Sequence, residues 1–164
     1  MSEGYVEWLV KKPMSVGAKV LKGVLIAVTV GFVLIAMLGS LVAMLLAIAC
    51  GVGAYFVGIY MDIEFEYLYL DKELTIDKVF AKTKRKTAAV FDINSMEMLA
   101  PLNSWHLDAY KNRDMKVVDY SSGVAQQPEQ RYVMIHDNQK VILEPNMAIV
   151  KAIQTIAPRK VFTE

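Results

Sequence analysis

The sequence predicts a two-helix membrane hairpin followed by a small α+β domain of seven short strands and one C-terminal helix. Three observations predict it. From Gly23 to Met61 there is no Asp, Glu, Lys, Arg or His, a gap of 39 residues in a chain of 164. From Ile63 onward, polar and apolar residues alternate in short runs broken by turn residues. After Pro145 the apolar period lengthens to that of a helix.

The mean hydropathy of +0.34 averages two different pieces. All 18 Lys and Arg and all 17 Asp and Glu lie outside the charge-free run. This distribution excludes a plain soluble globule and a disordered chain, and a single cysteine excludes a disulfide scaffold.

As one helix, the run would be about 58 Å long, nearly twice the bilayer core of roughly 30 Å. Two spans fit, with the turn at Gly39-Ser40, the only adjacent Gly and polar pair in the run. The expected helices are residues 15–38 and 41–60. Lys19 and Lys22 fall in the first turns of the first helix and can snorkel to headgroups. Tyr55, Phe56 and Tyr60 mark the same interface on the second helix, as aromatic residues do at membrane surfaces.

Small residues recur every four positions as Gly23, Ala27 and Gly31 in the first helix and as Ala43, Ala47 and Gly51 in the second. In lipid, packing drives helix association, and small residues allow close approach. These two stripes are the expected packing faces. Basic residues flank the hairpin on both outer sides, with Lys11, Lys12, Lys19 and Lys22 before it and Lys72 to Lys86 after it, and none lies in the connection. The positive-inside rule therefore predicts two cytoplasmic termini. The run is too long for a signal peptide. Cys50 lies deep within it, an unpromising lipidation site and a lone inert thiol.

Residues 1–14 carry Tyr5, Val6, Trp8, Leu9 and Val10 before Lys11, Lys12 and Pro13. They are expected to form a short interfacial helix anchored by Trp8, or an irregular tail.

Residues 62–164 carry 14 basic and 15 acidic side chains, which argues against general nucleic-acid binding. Ile63–Leu70 and Leu74–Val79 read as a hairpin around Asp71-Lys72. A basic connection from Ala81 to Lys86 leads to Thr87–Ile93. Four further strands are expected at Ser95–Leu102, Met115–Tyr120, Arg131–His136 and Lys140–Glu144, with loops at 103–114 and 121–130. Asn146 is placed to cap a helix bearing Ile149, Ile153 and Ile156 on one face, ended by Pro158.

Seven strands followed by one amphipathic helix resembles the pleckstrin-homology-like (PH-like) barrel over about residues 62–157. That resemblance implies a bent sheet with the helix plugging one open end. Local stretches carry a closer resemblance: Tyr5-Val6-Glu7, Gly51 to Tyr55, Glu66 to Tyr69, Lys84 to Lys86, Leu99 to Pro101, Asp119 to Gly123 and Ala157 to Phe162. By these the chain resembles a family of short two-span membrane proteins from Gram-positive anaerobic bacteria. That family has no assigned activity, so the resemblance implies an architecture and a bacterial cytoplasmic membrane, and no chemistry. PH domains that bind phosphoinositides carry basic residues in their first hairpin loop. Here that loop is Leu70-Asp71-Lys72-Glu73, short and net acidic.

The expected lipid-contact residues are Lys82, Lys84, Arg85 and Lys86. The first strand leaves the membrane, so the second must return and bring its turn to the headgroups. Each cation there is worth about 1 kcal/mol near an anionic surface. The bland alternative is a solvated hairpin tip. Ser104, His106 and Asp108 sit at alternate positions of one loop and do not form a catalytic set. Two histidines and a membrane-buried cysteine do not make a zinc site. No Gly-rich phosphate loop is present. The expectation is therefore a protein without enzymatic activity, cofactor, metal or nucleic-acid partner. It would act as a membrane-anchored adaptor or assembly protein that contacts lipids and a protein partner or a second copy. The alternative is an accessory or sensor subunit of a transporter or envelope enzyme.

Overall fold

The computed structural model describes residues 5–124 and 131–164. The expected loop at 121–130 lies partly outside the described residues. The chain divides into two compact units. One comprises residues 1–12, 64–79 and 85–164, and the other residues 13–63 and 80–84.

The second unit is the helical hairpin, α1 (Val16–Ala36) and α2 (Leu41–Met61). Ser15 caps α1 by accepting from the Ala18 amide at 3.2 Å, and Ser40 caps α2 by accepting from the Ala43 amide at 3.3 Å. Gly39 turns the chain at φ +94°, a backbone conformation that a side chain disfavours. The turn is where the Gly-Ser pair predicts it. Each helix has 21 residues, about 31 Å of rise. Both are long and apolar enough to cross a membrane, with mean hydropathies of 2.1 and 2.3. Only 6% and 17% of their most apolar windows are buried.

The first unit holds two four-stranded sheets. The strands are β1 (Val6–Lys12), β2 (Ile63–Leu70), β3 (Glu73–Phe80), β4 (Lys84–Asp92), β5 (Met98–Pro101), β6 (Lys116–Asp119), β7 (Tyr132–His136) and β8 (Gln139–Leu143). One sheet has the order β1-β2-β3-β4 and the other β5-β7-β8-β6. β7 pairs antiparallel with β5 and β8, whereas β6 lies parallel to β8. Asp71-Lys72 and Asp137-Asn138 adopt positive φ, the turn conformation that matches the twist of a two-residue hairpin. Asn146 caps α3 (Met147–Ile156) by accepting from the Ile149 amide at 2.9 Å. Ile149, Val150 and Ile153 are buried on its inner face.

Phe65, Tyr67 and Tyr69 of β2 and Leu74 and Ile76 of β3 are buried, as are Met134, Val141 and Leu143 of the second sheet. The Tyr67 hydroxyl joins the sheets. It donates to the Tyr120 carbonyl at 2.7 Å and accepts from the Glu144 amide at 3.1 Å. Burial raises its pKa.

Three expectations are corrected. Residues 6–12 form neither an interfacial helix nor a tail; they form strand β1, an eighth strand among the described residues. Val6, Trp8 and Val10 stand on alternate positions, which suits a sheet edge, and Val10 is buried. The basic connection is shorter than expected: the turn is residues 81–83, and Lys84, Arg85 and Lys86 already belong to β4. Within the loop at 103–114, Trp105–Tyr110 forms a 3₁₀ turn. Its Leu107 packs with Ala100, Val133 and Ile135.

Candidate functional site

In the helical unit, α2 presents its small residues to α1. Ala43, Ala47 and Ala54 are buried. A Cβ on Gly51 would lie 3.6 Å from Thr29 Cγ2, and one on Gly53 would lie 3.9 Å from Leu25 Cδ1. The α1 stripe does not face α2. Gly23 and Ala27 are exposed, and a Cβ on Gly23 or Gly31 would meet nothing within 4 Å. The expected pairing of two small stripes is thus replaced by a small groove on α2 that receives the larger Leu25 and Thr29. Thr29 satisfies its hydroxyl internally, donating to the Leu25 carbonyl at 2.7 Å.

Lys22 is half-buried beside Gly58. Its Nζ lies 3.2 Å, and its Cε 3.5 Å, from where a Gly58 Cβ would stand. Lys19, one turn earlier, is exposed. Aromatic rings continue along the end of α2. Tyr55 meets Phe56 at 5.9 Å between centroids, Phe56 stacks on Tyr60 at 6.0 Å, and Tyr60 meets Phe80 edge-on at 6.1 Å. The Ala81 amide donates to the Asp62 carbonyl at 2.9 Å. The turn that carries Lys82 therefore closes on the end of α2. Lys82 sits at φ +59° and is exposed, as are Lys84, Arg85 and Lys86.

Arg85 already has a partner in the β unit. Its Nη2 lies 3.1 Å from Glu66 Oε1, and the Glu66 side chain is only 1% exposed. Glu66 Oε2 and Asp77 Oδ1 are buried without a hydrogen-bond partner. Burial pushes the Glu66 carboxyl above the usual glutamate range, neighbouring Glu7 pushes it further, and Arg85 opposes both. Glu7 moves the other way, lowered chiefly by the Tyr5 hydroxyl, which donates to it at 2.8 Å. Alternation marks Glu66 as polar, but β1 and β4 make it a buried charge. Trp8, expected at the membrane interface, lies on β1, and its indole N–H donates to the Glu144 carbonyl at 3.0 Å.

Ser104, His106 and Asp108 each serve local structure. Ser104 donates to the Glu164 carbonyl at 2.8 Å, His106 is stacked between Trp105 and Phe162, and Asp108 pairs with Lys111 at 2.6 Å. A different set is brought together from separate strands and turns. Ser95 Oγ lies 2.7 Å from His136 Nε2, and His136 Nδ1 lies 3.2 Å from Asp137 Oδ2. The connectivity is that of a serine triad, but Ser95 also donates to the Asp92 carbonyl at 2.9 Å. That bond commits the serine proton to its own turn, so the trio reads as a latch between the β4–β5 turn and the β7–β8 hairpin. Sequence reasoning missed it because Ser95 and His136 are 41 residues apart. Among the described residues no group of three or more His, Cys, Asp or Glu could hold a metal ion.

Residues 2–163 match the sequence profile described as Bacterial PH-like domain (DUF6106). The chain belongs to this family. The match to the PH-like family runs through β1, the helical hairpin and the sheets alike. Two apolar helices followed by sheets and a C-terminal helix agree with it. No curated protein and no solved structure gives a match.

Proposed function

We propose that this PH-like protein is a non-enzymatic adaptor or assembly protein of the bacterial cytoplasmic membrane. Its hairpin spans the bilayer twice, and its β unit works on the cytoplasmic side. One observation carries the reading: the hairpin is inserted between β1 and β2, neighbouring strands of a single sheet. Strands of one sheet lie on one side of a membrane, so the segment between them crosses an even number of times. Two 21-residue helices supply two crossings. Removing α1 as a signal sequence would remove β1 with it. The basic residues on both flanks favour the cytoplasm for that side.

Anionic lipid contact belongs to the same reading, through Lys82 and Lys84 more than Arg85. The first two share a unit with the aromatic end of α2, whereas Arg85 is held by Glu66. A polarity-sensitive dye on Lys82→Cys in a Cys50→Ala background, with the whole protein in nanodiscs, tests the contact. Quenching by spin-labelled phosphatidylglycerol should exceed quenching by spin-labelled phosphatidylcholine. Equal quenching would remove lipid contact from the account. Chemical crosslinking before mild-detergent purification tests the adaptor role. A homo-oligomer supports assembly, and a stoichiometric membrane enzyme or transporter supports the accessory-subunit alternative.

A further inference from the structure

One groove in the helical unit joins a cation to an apolar wall. Lys22, Ile26, Ala54, Tyr55, Gly58 and Ile59 line a cavity of about 400 Å³. Side chains on a helix lean toward its N-terminus, so Lys22 leans toward the end of the hairpin where α2 finishes. Its stem crosses the notch left by Gly58. Gly58 is about 4.5 Å of helix rise from Met61, the last residue of α2. The ammonium therefore reaches headgroup depth while Ile26 and Ala54 line the wall below it. Neither α1 nor α2 contains an Asp or Glu, and the one carboxylate of the helical unit is Asp62, the C-cap of α2. At headgroup depth in a bilayer a lipid phosphate supplies a further counter-charge.

We propose that this groove binds one phospholipid of net negative charge, its phosphate on Lys22 and one acyl chain along Ile26, Ala54 and Ile59. Lys19 adds a second positive charge one turn away and disfavours headgroups that carry their own cation. The Tyr55 hydroxyl is the other polar group of the lining and can donate to the same headgroup. The proposal rests on the hairpin spanning a membrane.

Native mass spectrometry of the full-length protein, released from nanodiscs of equal phosphatidylglycerol and phosphatidylcholine, counts the lipids it keeps. Wild type should retain one phosphatidylglycerol. Lys22→Gln should lower its retention about tenfold, through loss of a charge-assisted hydrogen bond and the attraction of the cation. Gly58→Leu, which fills the notch, should do the same. Lys22→Arg should keep the lipid, which separates lost charge from lost folding. Lys151→Gln, exposed on α3 of the β unit, should leave retention unchanged, because that residue lies outside the groove. Equal retention of both lipids, or full retention by Lys22→Gln, overturns the proposal. So does a lipid-free dimer, which would assign the groove to a second copy. Protein recovered outside the discs overturns the membrane reading as well, and is a distinct result.

Discussion

The indole N–H of Trp8 donates to the backbone carbonyl of Glu144, 136 residues away, at 3.0 Å. One residue precedes both apolar helices and the other follows every strand of the β unit. The bond, with the pairing of β1 and β2, makes the first strand part of the domain beyond the hairpin. Trp8→Phe keeps most of the ring and deletes the donor, and should cost about 1 kcal/mol. Amide hydrogen exchange across Val6–Lys12 should then quicken about fivefold. Unchanged exchange would mean that the indole contact does not hold the strand.

The helix interface predicts a contrast between two similar substitutions. Ala47→Leu enlarges a buried residue on α2 and should cost about 1–3 kcal/mol through overpacking. Gly23→Leu adds a side chain where nothing lies within 4 Å and should leave hairpin stability unchanged or slightly raised. Unfolding of the purified protein in SDS, followed by helicity, measures both. Equal loss in the two variants would restore Gly23 to the packing face.

Glu66 predicts a pH dependence of known sign. Its folded-state pKa is raised above the ordinary 4.5, so the folded state holds its proton more tightly than the unfolded chain does. Its contribution to stability is present below the ordinary value and is lost as pH rises through the raised one. Glu66→Gln should abolish that loss. Thermal unfolding across this window should show a midpoint that falls with pH in wild type and stays flatter in the variant. Parallel curves would remove Glu66 as the cause.

Ser95→Ala should leave His136 Nε2, on a residue only 8% exposed, without its partner. Leaving such a group unpaired costs about 1–3 kcal/mol, read by chemical unfolding of the full chain. A loss well under that range would mean that water replaces the hydroxyl and that no latch exists.

Much of this architecture is legible in the sequence because the physics is local. A charge gap marks the helices, Gly39 their turn, Asp71-Lys72 and Asp137-Asn138 the hairpin turns, and Asn146 the start of α3. What is not legible depends on distant partners. The seven residues of β1 read as an amphipathic fragment because their neighbour in the sheet, β2, comes only after the two helices. The two small-residue stripes look equivalent, and only the three-dimensional packing separates the buried Ala47 from the exposed Ala27. Alternation identifies Glu66 as polar, yet in the fold it is buried and paired with Arg85 of β4. The latch of Ser95 and His136 likewise needs two turns to meet.

The central claim is that β1 and the β unit lie on one side of a membrane that the hairpin crosses twice. Single cysteines at Tyr5, Met37 and Thr163, in a Cys50→Ala background, can be labelled with a membrane-impermeant maleimide in sealed vesicles of known orientation. All three native residues are exposed. The account predicts that Tyr5→Cys and Thr163→Cys label from the same face, the cytoplasmic one, and that Met37→Cys labels only from the other. Labelling of Tyr5→Cys and Thr163→Cys from opposite faces, or of all three from one face, would contradict it.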